Sequence, residues 1–345
     1  MVNARRRTVG ADAPVLAALA VVAVLGTACP ASDPEAVTDA GASSPDAAGA
    51  ADTAATDAAK GGDAAAANAV VGAFLIELAA PSGTSAGTTS LSGKVYDGPT
   101  PPTLAWDLAE QMSGCQLLLP RAPFCSPQCP GDQMCVETNQ CAGYPTSQNL
   151  GRVQVRGLGT AAITLDPIVN GYQLPPGLEL PFPPAAEGAG VEVAVSGGPF
   201  GAFTLATKMV APLLSTGDLV LERGKPIPLA WTPPTMPQVA RMAIKVEISH
   251  HGGIKGKIEC DVADTGALEV PAALVTKLID LGVAGFPTIV LTRVATGAVA
   301  IAPGQVRLQV LSTVTHQVKV AGYTSCDDAV PCPAGQTCQT NLTCH

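Results

Sequence analysis

Aromatic side chains are scarce: the 345 residues hold 6 Phe, 4 Tyr and 2 Trp. A core built without them must be filled by Val, Leu, Ile and Ala. Basic residues are outnumbered, 19 Lys and Arg against 28 Asp and Glu, for a net charge of −9. That balance argues against nucleic acid as a partner, because phosphates demand clustered Lys and Arg. No apolar run approaches the ~20 residues that a spanning helix needs. Gly-x-Ser-x-Gly, a Walker loop, His-Glu-x-x-His and an EF-hand loop are all missing. The chain therefore shows no standard signature of a serine hydrolase, a nucleotide-binding loop, a zinc peptidase or a calcium loop. Gly157-Leu158-Gly159-Thr160-Ala161-Ala162 has the loose dinucleotide spacing. The residues that follow, Ile163-Thr164-Leu165-Asp166-Pro167, read as strand and turn where that motif requires a helix, so no cofactor is expected.

What is present begins with an export signal. Arg5, Arg6 and Arg7 precede an apolar stretch from Pro14 to Gly26, and Thr27-Ala28-Cys29 follow. A positive start, a short apolar centre and small residues before a cut site make a signal peptide over 1–28. A cysteine behind two small residues resembles a lipobox, although Gly26 stands where Leu is usual and Leu25 lies one step back. The resemblance implies cleavage before Cys29 and diacylglycerol on its sulfur. The alternative is an ordinary signal peptide cut after Ala28. The arginines also resemble a twin-arginine signal, but RRRTVG lacks the pattern that should follow.

Residues 29–68 read as a linker. Beyond Cys29 they are mainly Ala, Asp, Thr, Ser, Gly and Pro, with seven acidic residues against Lys60 as the one base. So little apolar surface cannot offset ordering entropy, and a disordered tether is expected. As a flexible coil it reaches on the order of 35 Å.

From about Val70 short apolar runs alternate with Gly/Pro turns. Val153-Gln154-Val155 and Val191-Glu192-Val193-Ala194-Val195 have strand periodicity, as do Met242, Ile244, Val246 and Ile248. Val306, Leu308, Val310, Val314, Val318 and Val320 share a face of a long, bent strand. His250-His251-Gly252-Gly253 reads as a hairpin tip, and Thr296-Gly297 as another. The one helix expected is Pro271 to Leu281, with Pro271 in its first position and Gly282 as its stop. The fold class is mainly β: one or two immunoglobulin-like β-sandwich units with two small disulfide-stapled modules and one short helix. The expected units are 69–212, with a cysteine-rich insertion at 115–141, and 213–322, followed by a cysteine-rich module at 323–345. The stretch 166–188 is too proline-rich for a central strand and reads as a surface connection.

Cysteine spacing carries the most specific signal. Setting Cys29 aside leaves ten of the eleven cysteines, an even number, behind an export signal. Cys125-x3-Cys129-Pro130-x4-Cys135-x5-Cys141 and Cys326-x5-Cys332-Pro333-x4-Cys338-x5-Cys344 share their last two spacings, the Cys-Pro step and a Gln (Gln133, Gln336). Zinc competes, but it prefers closely spaced pairs, and only Cys125/Cys129 offers one; no metal is expected. Spacing leaves three connectivities open in each copy. The copies resemble small secreted cysteine-rich modules, and that resemblance implies first-to-third and second-to-fourth pairing. Cys115 and Cys260 either bond to each other or remain buried thiols.

Two places invite chemistry. Asp264-Thr265-Gly266 after an apolar strand resembles the aspartic-peptidase motif, whose chemistry needs two carboxylates sharing a proton. One copy is present, and Asp, Thr and Gly are ordinary turn residues. His250-His251 could ligate a metal, but no third ligand lies at a telling distance. His316 reads as a rim residue of the long strand, and His345 ends the chain.

Taken together, the lipobox, the acidic linker, the Trp231 strand (Pro228-Leu229-Ala230-Trp231-Thr232), the run Ile248 to Cys260 and the Cys-Pro modules resemble surface lipoproteins of the myxobacterial type. That resemblance implies an address and an architecture: a lipid-anchored cell-envelope protein, with Pro30 after the cysteine leaning toward the outer membrane. The expected function is non-enzymatic, presenting β domains for binding, adhesion or assembly. The membrane is reached through Cys29, and a protein or glycan partner is left open. The alternative is a secreted hydrolase of aspartic-peptidase type using Asp264.

Overall fold

Alternating apolar and polar residues write most of this chain into strands. The computed structural model describes residues 69–81, 85–102, 104–159, 161–215 and 217–345. The expected signal peptide, Cys29 and the linker lie outside the described residues. A nine-stranded sheet runs from edge to edge as β3 (Ala105–Met112), β4 (Cys115–Arg121), β15 (Lys257–Ala263), β14 (Arg241–Glu247), β17 (Thr288–Ile301), β18 (Gly304–Gln317), β1 (Val70–Ala79), β2 (Thr88–Val95) and β9 (Gly171–Gln173). Its neighbours are antiparallel except β1 with β18. A four-stranded sheet runs β11 (Phe203–Lys208), β10 (Gly190–Val195), β7 (Val153–Arg156), β8 (Ile163–Leu165). Three ribbons complete the set: β12 (Val220–Leu221) with β19 (Lys319–Val320), β13 (Ile227–Ala230) with β16 (Ala267–Val270), and β5 (Gln133–Glu137) with β6 (Gln140–Gly143). Among the described residues one helix, α1 (Ala272–Asp280), starts one residue after Pro271, and Gly282 behind it takes a φ of +94°.

Two hydrophobic cores lie on the inner face of the large sheet. In one, Phe74, Ile76, Leu308 and Val310 meet Val155 and Val193 of the four-stranded sheet. In the other, Ile244, Val246, Ile258 and Leu291 meet Leu274 and Leu278 of α1. The long hairpin β17–β18 belongs to both. Each core draws residues from both sides of position 212: Val306, Leu308 and Val310 join the first, Cys115 and Leu117 the second, and the large sheet likewise takes strands from both sides. Between the cores runs a different row. Met242, Arg293, Ser312 and Leu78 are cross-strand neighbours on β14, β17, β18 and β1, and the middle two are polar. Both are 1% exposed.

Two expectations are corrected. Thr296-Gly297 is no hairpin tip: both lie inside β17, and the chain turns between Ile301 and Gly304. The glycine answers a packing need, because a Cβ at 297 would stand 1.9 Å from the Ala206 carbonyl oxygen of β11. The proline-rich stretch 166–188 is mostly irregular but contributes β9, which pairs with β2 at the sheet edge, where an adjoining proline-rich loop is tolerated.

Gly297→Ala is expected to lower unfolding free energy by about 1–3 kcal/mol, the usual cost of overpacking. The shift of the urea midpoint measures it.

Candidate functional site

Asp264 follows β15 in the turn to β16 and is fully buried. Trp231 directly follows β13, the strand paired with β16, so its indole faces the same turn. The indole Nε1 donates to Asp264 Oδ1 at 2.7 Å. From β17 the Arg293 Nε donates to Asp264 Oδ2 at 2.5 Å, and one terminal nitrogen reaches Oδ1 at 3.3 Å and the Thr232 carbonyl at 2.7 Å. The other terminal nitrogen donates to the carbonyls of Ala211 and Pro212 at 3.1 and 3.3 Å. All five donors of a guanidinium are thus engaged. The neighbouring Ser312 Oγ accepts from the Leu213 N–H at 2.8 Å and lies 3.2 Å from the Leu78 carbonyl.

This arrangement does not suit acid–base chemistry. A peptidase aspartate must share a proton with a second carboxylate and touch water. Asp264 instead meets a guanidinium and an indole, inside the protein. The Glu187 carboxylate, which feels the charge of Arg293, is occupied as well. Burial pushes it up, but donors from the Thr235 hydroxyl, the Met236 N–H and the Thr235 N–H, with Arg293, leave it below its ordinary value.

His250 and His251 lie on the connection from β14 to β15, their rings 3.9 Å apart between centroids. Partial burial, followed by the charge of His251, pushes His250 down. No third ligand joins them: among the described residues, the convergent sets of three or more His, Cys, Asp or Glu ligand atoms are two groups of cysteine sulfurs. His316 is half-buried on β18, and its Nε2 has no hydrogen-bond partner. His345 exchanges backbone hydrogen bonds with Thr337.

The cysteine sulfurs are consumed by disulfides. Cys125–Cys135 and Cys129–Cys141 close the first module, Cys326–Cys338 and Cys332–Cys344 the second, and Cys115–Cys260 joins β4 to β15. The modules are alike below the level of spacing. After each Cys-Pro step the Gln N–H returns to the proline carbonyl, Gln133 to Pro130 and Gln336 to Pro333. The third and fourth cysteines face each other across antiparallel backbone in both copies. Four residues after the third cysteine, both chains turn left-handed, at Asn139 (φ 59°) and Leu342 (φ 62°). Asn139 suits that conformation, and its side chain accepts from the Ser126 N–H at 2.9 Å. Leu342 has no such compensation. Each module is tied down: Arg121 of β4 grips Asp107 and Glu137, and Asn341 accepts the Gly285 N–H at 2.7 Å.

Two surface concavities adjoin these modules. One, of about 460 Å³, is lined by Pro99, Pro101, Pro102, Val136 and Pro145. The other, of about 700 Å³, is lined by Val220, Phe286, Val318, Tyr323 and Val330. Neither contains Asp264, His250 or His251. Sequence reasoning missed Arg293, although its signal was present: one charge in the apolar run Thr288-Ile289-Val290-Leu291-Thr292-Arg293-Val294.

Removing the charge at Asp264→Asn leaves a buried cation uncompensated and is expected to cost about 3–5 kcal/mol, read by denaturant unfolding at neutral pH. Leu342→Asn is expected to raise stability by about 1 kcal/mol, relieving the left-handed strain, with a matching rise in melting temperature.

No protein-family model matches this chain, and no curated protein matches it significantly.

Proposed function

We propose that this chain is a non-enzymatic lipoprotein of the cell envelope that presents a stapled β body for binding or adhesion. The observation that carries the reading is cysteine usage. Every described cysteine lies in a disulfide, which is the habit of exported proteins. The remaining one, Cys29, directly follows the export signal, where a lipid attachment cysteine stands. The small modules support the same compartment, since units of about 20 residues bury too little to fold without staples. The myxobacterial surface lipoproteins named above remain the resemblance that fits this combination, and the outer membrane the address it favours.

On this reading the acidic linker holds the body away from an anionic surface, and the partner meets the β body. Two or three acyl chains hold firmly where a single one is marginal. The hydrolase alternative draws no support from Asp264, whose carboxylate is occupied by Arg293 and Trp231.

Intact-mass measurement of the membrane-extracted protein is expected to find a chain that begins at Cys29, carries acyl groups and retains its disulfides. Cys29→Ala is expected to move the protein from the membrane fraction to the soluble fraction. An unmodified wild-type cysteine, or ten reduced thiols in the rest of the chain, overturns the proposal.

A further inference from the structure

Of the seven arginines among the described residues, Arg121, Arg152, Arg156, Arg223, Arg241 and Arg293 each pair with a carboxylate. Arg307 has none. It sits on β18 with its side chain on the outer face of the nine-stranded sheet, half-buried between two small residues, Ala298 of β17 and Ala73 of β1. Ala73 in turn faces the exposed Lys94 of β2. The row Ala298, Arg307, Ala73, Lys94 therefore places two cations on either side of an alanine. Two strand spacings separate their backbones, about 9–10 Å, a span that two long side chains can close around an anion; without one, the Lys94 ammonium lies 5.5 Å from the centroid of the Tyr96 ring on its own strand.

The neighbouring row, Thr296, Gln309, Leu75 and Ser92, adds hydrogen-bonding side chains on the same face. The nearest acid on β1 is Glu77, four residues along the strand from Ala73, which places it about 13 Å away; it lies 3.4 Å from the Ser90 hydroxyl. Burial without a counter-charge pushes the guanidinium of Arg307 down from its ordinary value. In a protein of net charge −9, a half-buried arginine left without an acid is the exception to the pattern of its six fellows.

We propose that Arg307 and Lys94 form an oxyanion site over Ala73, taking a carboxylate or phosphate group presented by a ligand that lies on the open sheet face. Arg307 supplies the planar fork suited to paired oxygens, and Lys94 a point charge beside it. The cross-strand neighbours of Arg307 on both sides, Ala73 and Ala298, are small. The site deepens the binding reading given above, and it is separable from the anchor because no residue of the row belongs to the signal or linker.

The test uses the full chain with Cys29→Ala, titrated in low-salt buffer with inorganic phosphate and, separately, with galacturonate. The Arg307 Nε–Hε resonance, assigned by its loss in Arg307→Gln, reports occupancy. The expected result is saturable movement of that resonance in the millimolar range, a dissociation constant raised at least tenfold in Lys94→Gln, and no binding in Ala73→Glu, which sets an internal carboxylate between the two cations. Preference for galacturonate identifies an acidic sugar as the source, and preference for phosphate a phosphorylated one. An unmoved resonance with both probes overturns the site. So does binding that survives unchanged in Ala73→Glu. Either failure leaves the membrane-fraction result for Cys29 as it was, while a soluble wild-type chain that still binds the probes refutes the anchor alone.

Discussion

A guanidinium with all five donors engaged, pressed against a buried carboxylate, is the constraint on which the rest of this fold depends. Arg293 stands where the two hydrophobic cores would otherwise merge. Its partners come from three separated stretches: Asp264 after β15, Thr232 beside Trp231, and Ala211 with Pro212 at the junction between the first and second halves of the body. A buried pair of this kind is weak ground for stability, because desolvation consumes much of its attraction. Its value lies in geometry. Five directed hydrogen bonds fix where the connecting chain crosses the large sheet, and Ser312 alongside fixes Leu213 and the end of β1. Valine-rich strands have little other means of choosing one register from its neighbours, since a shift by two residues preserves every inward side chain.

The scarcity of aromatic residues bears on the same point. Val, Ile and Leu bury less area per side chain than Phe or Trp, so this core works through many small contacts. Covalent bonds supply part of the remainder. By the chain-entropy argument the Cys115–Cys260 bond, which spans 145 residues, contributes about 5 kcal/mol, and a module bond spanning 10 to 12 residues about 3 kcal/mol. The long bond joins β4, which carries the first module, to β15 in the second core. It therefore acts where the sheet is assembled from distant segments.

Much of this was legible in the sequence, and the reasons differ from place to place. Strand periodicity marked Met242 to Ile248 and Val306 to Val310 because one face is buried and the other open. Cysteine spacing exposed the repeat because a module held by staples tolerates little change in loop length. The helix at 272–280 was marked by Pro271 and Gly282, whose backbone preferences are local. The failures were non-local. Gly297 has a turn residue's identity but answers the approach of Ala206, more than ninety positions away. Arg293 could be seen as a charge in an apolar run, yet nothing nearby named Asp264 as its partner. Asp264 itself looked like chemistry for the same reason: an acid beside Thr and Gly reads as a motif until the buried cation is in view.

The distribution of polar groups also decides which surface is left for a partner. The inner face of the large sheet is filled by α1, by the four-stranded sheet and by the Arg293 row. Its ionic chemistry is closed, with every donor matched. The outer face has no such cover among the described residues. Several of its charges are answered by neighbours, as Lys245 is by Glu247 and Lys257 by Glu259, in partly buried pairs. A fold that neutralises an arginine at 293 with five bonds and its exposed arginines with carboxylates has the means to do so at 307. Leaving that guanidinium half-buried carries a desolvation cost with no internal return, and an arriving anion would recover it. The two concavities beside the modules are mainly apolar, with Asp97 lining one and Lys319 the other, whereas the proposed anion site would set two cations side by side on the open sheet face.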